Sequence, residues 1–292
     1  MIRLAGKAVV ITGAGSGLGR SYAFHAARHG ARVLLNDLDT SAEAAAAEIR
    51  ATGGSAVALA GDVADWSFGE ALVGACVERF GRIDGLVNNA GILRHGLATE
   101  LREADMRRML EVNTMGTAAC GSAAIRAMLR QGGGGSIVNV ASGSQAGDIA
   151  LGGYAASKAA VAALTFSWAL ELAETPVRVN AVSPLAATAM AASNTAFLAQ
   201  QSAAREVAYT DLPSPEVNAP VIVHLLSDRS AAVRGQIVRI AGRELSFVTH
   251  PMIARPFLTG DWDDEAVERA FAEVLDGCQQ RLGLGYERAA VN

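Results

Sequence analysis

Cysteine is scarce in this chain. Cys76, Cys120 and Cys278 are odd in number, far apart and never in C-x-x-C spacing, which argues against a disulfide framework and a structural zinc site and suits a reducing cytoplasm. Long apolar runs are missing as well. Past Arg3 and Lys7 comes only the short run Ala8 to Ile11, too brief for the core of a signal peptide. The longest uncharged helical stretch, Ala159 to Leu170, carries Thr165 and Ser167 and falls short of the roughly 20 residues a membrane span needs. A soluble protein with no membrane partner is expected. Nor is there a basic field: 25 Lys and Arg stand against 29 Asp and Glu for a formal net charge of -4, the pI is near 5.8, and the cations are scattered. Nucleic acid is therefore not an expected partner. His25 and His29 have a spacing that can bind zinc, but no third ligand or Glu base accompanies them, and His95, His224 and His250 stand apart. No metal is expected.

What the chain does have is core. Hydrophobic residues make up 51% of its 292 positions, enough for one sizeable α/β domain and a tail. Short β-branched runs at Ala8–Ile11, Arg32–Leu35, Ala56–Leu59, Gly85–Asn88, Ser136–Val140, Val177–Val182 and Gln236–Ile240 alternate with longer helical patterns. Apolar runs without alternation suit strands covered on both faces, and the intervals are long enough for crossover helices. The pattern predicts a doubly wound α/β fold, with a parallel seven-stranded sheet and helices on both faces. Leu18, Tyr22, Ala23, Ala26 and Ala27 recur at helical spacing before Gly30 ends the first helix. Gly132 to Gly135 precedes a strand instead of opening a helix, so it reads as a surface turn. No solenoid repeat is present, and Ala44 to Ala47 reads as ordinary helix. After Gly242 the pattern changes: Ser246 to His250 leads into Pro251 and Pro256, and a helix is expected over about Asp263 to Leu282. Residues 246–292 are expected to form an extension packed on the domain 1–245 or on a neighbouring subunit.

The first strand runs into Thr12-Gly-Ala-Gly-Ser-Gly-Leu-Gly19, which opens the first helix. Backbone N–H groups and the positive end of a helix dipole converge there, and a pyrophosphate is the natural occupant. Gly13, Ser16, Gly17, Leu18 and Gly19 are the contacts expected, because a Cβ at the glycines blocks the phosphate or strains the turn. Alone, such a triplet is equally a tight strand-to-helix turn; its context favours the cofactor. About twenty residues on, Asp37 ends the second strand, where a carboxylate can accept both ribose hydroxyls of an adenosine. This favours NAD. A 2'-phosphate about 4 Å from Asp37 would be repelled by roughly 4 kcal/mol at an effective dielectric near 20, so NADP requires a compensating Arg, for which Arg20 is the candidate. The plainer reading of Asp37 is a loop acid or a helix cap.

Tyr154-Ala-Ala-Ser-Lys158 places a phenol and an ammonium one helical turn apart on one face. Bringing a phenol from about 10 toward 7 requires roughly 4 kcal/mol of differential stabilisation, which Lys158 and a nicotinamide charge can share. The plainer alternative is a packed aromatic beside a snorkelling lysine.

The glycine loop, Asn88-Asn-Ala-Gly91, Asn113, Ser142 and Tyr154-x-x-x-Lys158 occur in that order, and together they make residues 4–245 resemble the short-chain dehydrogenase/reductase superfamily. The resemblance implies a Rossmann-type domain that moves a hydride between NAD(P) and a secondary alcohol or ketone. It gives Tyr154 the role of general acid or base, Lys158 that of its modifier and a ribose ligand, Ser142 that of polarising the substrate oxygen, and Asn113 that of holding a relay water. To the cofactor it assigns Asp62 and Val63 at the adenine, Asn89, Ala90 and Gly91 as a cleft wall, Pro184 in the nicotinamide pocket and Thr188 at the carboxamide. Ser144 stands as a second candidate serine, and Leu185 replaces a glycine frequent in relatives. Asn36-Asp-Leu38, Leu185, Pro215 to Pro220 and the extension are similar to the (3R)-hydroxyacyl-CoA dehydrogenase portion of multifunctional β-oxidation proteins, which implies a 3-hydroxyacyl-CoA among the substrates. A homotetramer or homodimer also follows from the resemblance. The substrate wall is expected over Leu185 to Leu212, with Met190, Phe197, Leu198 and Tyr209 apolar and Arg205 as a solvated cation. Two other functions compete: an NADPH-dependent ketoreductase, and a catalytically silent dinucleotide-binding regulator.

Overall fold

Apolar runs without alternation become strands whose residues alternate between two cores. The computed structural model describes residues 3–200, 212–279 and 283–285; Arg205, Tyr209, Leu282 and the side chain of Leu198 lie outside them. Along the first compact unit, Met1–Val248, the strands are β1 (Ala8–Thr12), β2 (Arg32–Asp37), β3 (Ser55–Ala60), β4 (Gly85–Asn88), β5 (Gly135–Val140), β6 (Val177–Pro184), β7 (Ile237–Ala241) and β8 (Glu244–Val248). Between them run α1 (Gly17–Arg28), α2 (Ser41–Ala51), α3 (Trp66–Phe80), α4 (Glu103–Met109), α5 (Gly116–Gln131), α6 (Gly152–Glu171), α7 (Ala189–Gln200) and α8 (Ala219–Leu226).

The sheet order is β3-β2-β1-β4-β5-β6-β7-β8, parallel through β7 and antiparallel at β8. Val9 and Ile11 face a core with α1, α2 and α8, while Ala8 and Val10 face one with α3 and α5. The expected sheet of seven strands thus gains an eighth. Gly242 at φ +62 opens a two-residue hairpin, which folds the next run back along β7. The boundary drawn at 245 falls inside β8. Helix ends follow local chemistry: Asp65 accepts the Ser67 N–H at 2.9 Å at the start of α3, and Gly81, at φ +77, closes it with an N–H bond to the Val77 carbonyl.

Strand order reverses between β1 and β4, which places a crevice at their carboxyl ends. β1, β4 and β5 end there at Thr12, Asn88 and Val140, so three neighbouring strands open onto the crevice. Within the second unit, Thr249–Asn292, Asp263 caps α9 (Asp264–Glu273) by accepting the Ala266 N–H at 2.8 Å, and a tighter turn covers Leu275–Cys278. The helix is shorter than the stretch to Leu282 that its acidic first turn suggested.

Tyr22 of α1 is fully buried, and its hydroxyl has no partner among the described residues. A buried unsatisfied hydroxyl costs about 1–3 kcal/mol, so Tyr22→Phe is expected to raise stability by about 1 kcal/mol, a Tm increase of about 3 °C by calorimetry. A lower Tm would mean that the hydroxyl holds a stabilising buried water.

Candidate active site

The β1–α1 loop presents the open N-terminus of a helix. Ser16 precedes α1 without a side-chain cap bond, and no acid occupies the first turn, so the first N–H groups of the helix lack side-chain acceptors. Gly13 has φ +61, and a Cβ there would lie 2.8 Å from the Ala90 Cα; at Gly19 it would lie 2.1 Å from the Gly13 carbonyl oxygen. The loop is braced from beneath: Thr12 Oγ1 accepts the N–H groups of Asn89 and Ala90 at 3.0 Å, and Asn89 Nδ2 donates to the carbonyls of Thr12 and Gly13 at 2.9 and 3.0 Å. Asn89 is therefore a strut of the loop. Thr188 reaches the same loop, since a Cβ at Gly17 would come 3.6 Å from its Cγ2, and its hydroxyl accepts the Ala191 N–H at 3.2 Å near the start of α7.

Asp37 lies against the loop. Its Oδ2 accepts the Gly15 N–H and its Oδ1 the Leu38 N–H, both at 2.8 Å. Arg20 is turned elsewhere: it pairs with Glu48 of α2 and stacks over Phe24 at 4.5 Å. Asp62 Oδ2 pairs with Arg108 at 2.7 Å and its Oδ1 accepts the Ala64 N–H at 2.9 Å. Burial opposes ionisation of that carboxyl, and Arg108 with the Ala64 bond outweighs it, so its pKa is lowered. Nothing local to Asp62 signals Arg108, which comes from α4. Val63 is buried and fills the place where a Cβ of Gly116 would stand.

Asn113 sits in a π-helical turn, Leu110–Met115, joining α4 to α5. The turn shifts the helix register at the site. The fully buried Asn113 amide accepts the Ile92 N–H at 2.8 Å and donates to the Ile92 carbonyl and to Ser157 Oγ, each at 2.9 Å. Ser157 in turn donates to the Tyr154 carbonyl at 2.7 Å. The Asn113 side chain braces α6 against the loop after β4. Ser157 was overlooked in the sequence although it stands inside the Tyr-Lys motif. Gly91 lies between Asn113 and Lys158: a Cβ there would be 3.3 Å from Asn113 Oδ1 and 3.5 Å from Lys158 Nζ.

Tyr154 and Lys158 share the buried face of α6. Lys158 Nζ donates to the Val140 carbonyl at 2.6 Å and lies 5.9 Å from the Tyr154 ring centroid. Ser142, just past β5, accepts the Ser144 N–H at 3.2 Å and lies near enough to the Tyr154 phenol to pull its pKa down; Ser144 turns to Asp148 at 3.4 Å. Of the two serines, Ser142 faces the phenol. Burial pushes the Tyr154 hydroxyl up and Ser142 pulls it down, with burial the larger. The expected depression of the phenol is thus not supplied by the protein groups alone, because both partners are dehydrated. Pro184 ends β6, and Leu185 follows without a positive φ, its N–H on Ile240 and its carbonyl on Asn218 at 3.1 Å. The backbone there does not require glycine.

Burial lowers Lys158 from 10.5 to about 8, a burden of about 3 kcal/mol on the charged form. Folded Lys158 releases its proton before the unfolded lysine does, so the burden is complete below about 8 and is relieved as pH rises toward 10.5. Lys158→Met, which loses about 1 kcal/mol with the Val140 bond, is expected to gain about 2 kcal/mol of stability at pH 7. Chemical denaturation at pH 7 and pH 10 tests this; a gain that does not shrink with pH would contradict it.

The model for the short chain dehydrogenase family matches residues 7–199. The chain is 38% identical over 251 residues to an L-rhamnose 1-dehydrogenase (NAD(P)(+)) of Sphingomonas sp. (strain SKA58), covering 82% of this chain and 96% of that protein. It is 35% identical over 243 residues to a 3-oxoacyl-[acyl-carrier-protein] reductase of Thermotoga maritima, covering 82% and 98%. The crystal structure of a short chain dehydrogenase from Mycobacterium avium superposes with a TM-score of 0.83 at 30% identity, covering 98% of this chain and 99% of that one. The glycine loop, the buried phenol and ammonium and these likenesses agree: the chain belongs to the short-chain dehydrogenase family, as an NAD(P)-dependent oxidoreductase of alcohols and ketones.

Proposed function

We propose that this enzyme oxidises an apolar secondary alcohol, or reduces the matching ketone, with NAD as its preferred cofactor and Tyr154 as the acid-base group. The observation that carries the reading is the burial of Tyr154 and Lys158 together on one face of α6, at the carboxyl edge of the sheet, with Ser142 acting on the phenol. The loop from Gly13 to Gly19, Asp37, Asn89 to Gly91, Pro184 and Thr188 would hold the dinucleotide. When bound, the nicotinamide supplies the hydride acceptor or donor. Tyr154 Oη takes the alcohol proton in oxidation and returns it in reduction. Ser142 Oγ donates to the substrate oxygen as negative charge develops on it, and the Lys158 ammonium favours the phenolate. Asn113 keeps α6 and the Ile92 loop in register, and the apolar side chains of Ile92, Leu93, Leu151 and Met190 wall the substrate.

NAD is favoured because Asp37 faces the glycine loop while Arg20 is engaged by Glu48. Fluorescence titration is expected to show NADH binding about 100-fold tighter than NADPH once screening has reduced the repulsion, with Asp37→Ala narrowing the gap. Tyr154→Phe is expected to retain NADH affinity and lose at least about 100-fold in turnover of secondary alcohols. Tighter NADPH binding would overturn the assignment to Asp37. Binding without turnover on any alcohol, ketone or 3-hydroxyacyl-CoA would favour the regulator.

The extension exposes Met252, Ile253, Phe257 and Trp262, and it is proposed to cover apolar surface on its own domain or on a second copy in a homodimer or homotetramer. Ile253→Asp with Phe257→Asp separates the two in light scattering and thermal melting. A fall in mass assigns the segment to a neighbour; a fall in Tm at constant mass assigns it to its own domain; no change in either would overturn the covering role.

A further inference from the structure

α7 is tied to the site by a contact that the acid-base chemistry does not use. His95 lies in the loop after β4, four residues beyond Gly91. Its Nε2 lies 3.1 Å from Asn194 Oδ1, and its ring stacks on Phe197 with centroids 4.3 Å apart and planes 12° apart. Met190, Asn194 and Phe197 follow one another at helical spacings of four and three, so they share one face of α7. Met190, at the start of that face, packs into the apolar cluster of Met109, Leu151 and Tyr154, with Ile92 and Leu93. His95, Met190, Asn194 and Phe197 are all half-buried.

The other side of His95 is equally constrained. The next residue, Gly96, donates its N–H to the Ala150 carbonyl at 2.9 Å and bridges to Leu151. Ala150 has φ +57, a left-handed conformation that a residue with a Cβ keeps only when its surroundings fix it. The backbone at His95 is thereby anchored to the entry of α6, three residues before Tyr154, while its ring grips α7.

We infer that His95 is a positioning residue: through Asn194 and Phe197 it sets how closely α7 brings Met190 over Tyr154, and so selects the size of the apolar group beside the reacting carbon. The neutral Nε2–H tautomer and the imidazolium both donate to Asn194 Oδ1, so the latch does not depend on His95 changing charge. The size selection rests on the dehydrogenase reading above, whereas the latch itself does not.

The full-length protein and its His95→Ala, His95→Phe and His95→Gln variants separate the parts. His95→Phe keeps an aromatic stack without the donor, and His95→Gln keeps a donor without the stack. Hydrogen–deuterium exchange is followed in peptides from 189–200 and 152–171, alongside kcat/KM with NAD for 2-propanol and for 1-phenylethanol. His95→Ala is expected to accelerate exchange in 189–200 by about tenfold, the order of one lost side-chain contact, while leaving 152–171 and NADH affinity unchanged. It is also expected to shift the 1-phenylethanol to 2-propanol ratio of kcat/KM toward the larger alcohol by about fivefold or more, mainly through KM; the Phe and Gln variants fall between. Unchanged exchange in 189–200 would overturn the latch. Faster exchange with an unchanged ratio would overturn its part in selection. If the wild type oxidises neither alcohol nor any other secondary alcohol tried, the dehydrogenase reading and the size selection fail together, and the exchange result decides the latch by itself.

Discussion

A buried primary amide must satisfy both its donor and its acceptor inside the protein, and the rest of this site depends on how Asn113 does so. Its oxygen takes the Ile92 N–H, and its nitrogen serves the Ile92 carbonyl and Ser157. Three chain segments distant in sequence are joined at one side chain: the loop after β4, the π-helical turn and α6. An unpaired buried polar group costs about 1–3 kcal/mol, so displacement of any one segment is opposed by groups left on the other two. The π turn supplies the local register that lets an amide on a long helix meet the Ile92 backbone. Gly91 fits beside it because no Cβ intervenes between Asn113 and Lys158.

With that frame fixed, the electrostatics of α6 carry opposing costs. Dehydration disfavours the Lys158 ammonium and the Tyr154 phenolate alike, so each charged form is unstable alone and the pair gains from forming together. Val140, at the end of β5, and Ser142, two residues on, offset part of the cost. Stability is lost where chemistry requires charge, and the two dry cores, where Val9, Ile11, Leu72 and Met128 are fully buried, sustain that loss.

Much of this was legible in the sequence because local chemistry carried it. The seven parallel strands announced themselves as apolar runs, the anion loop as glycines between a strand and a helix, and the phenol and ammonium as a one-turn spacing. What stayed hidden depends on contacts remote in sequence. Arg108 meets Asp62 across 46 residues and His95 meets Asn194 across 99, and no periodicity records either. β8 was hidden for a different reason: Ser246 to His250 runs toward Pro251, so the change of pattern after Gly242 put the end of the domain at 245, although Gly242 folds an antiparallel edge strand onto β7. The π turn was hidden because its sequence is ordinary helix, and only the buried polar Asn113 marked it.

The contacts of Arg20 are ones the sequence leaves open. Standing one turn into α1, it had the reach to neutralise a second phosphate near Asp37, and composition alone left NAD and NADP both available. α2 supplies Glu48, and Phe24 gives the guanidinium a ring to stack on. At this exposed position the carboxylate and the aromatic face each favour that orientation modestly. Turning it toward the cofactor would sacrifice both and leave Glu48 without that partner. On the proposed reading of Asp37 as the ribose acid, Glu48 of α2 would bear on the choice between NAD and NADP from outside the glycine loop, by engaging Arg20.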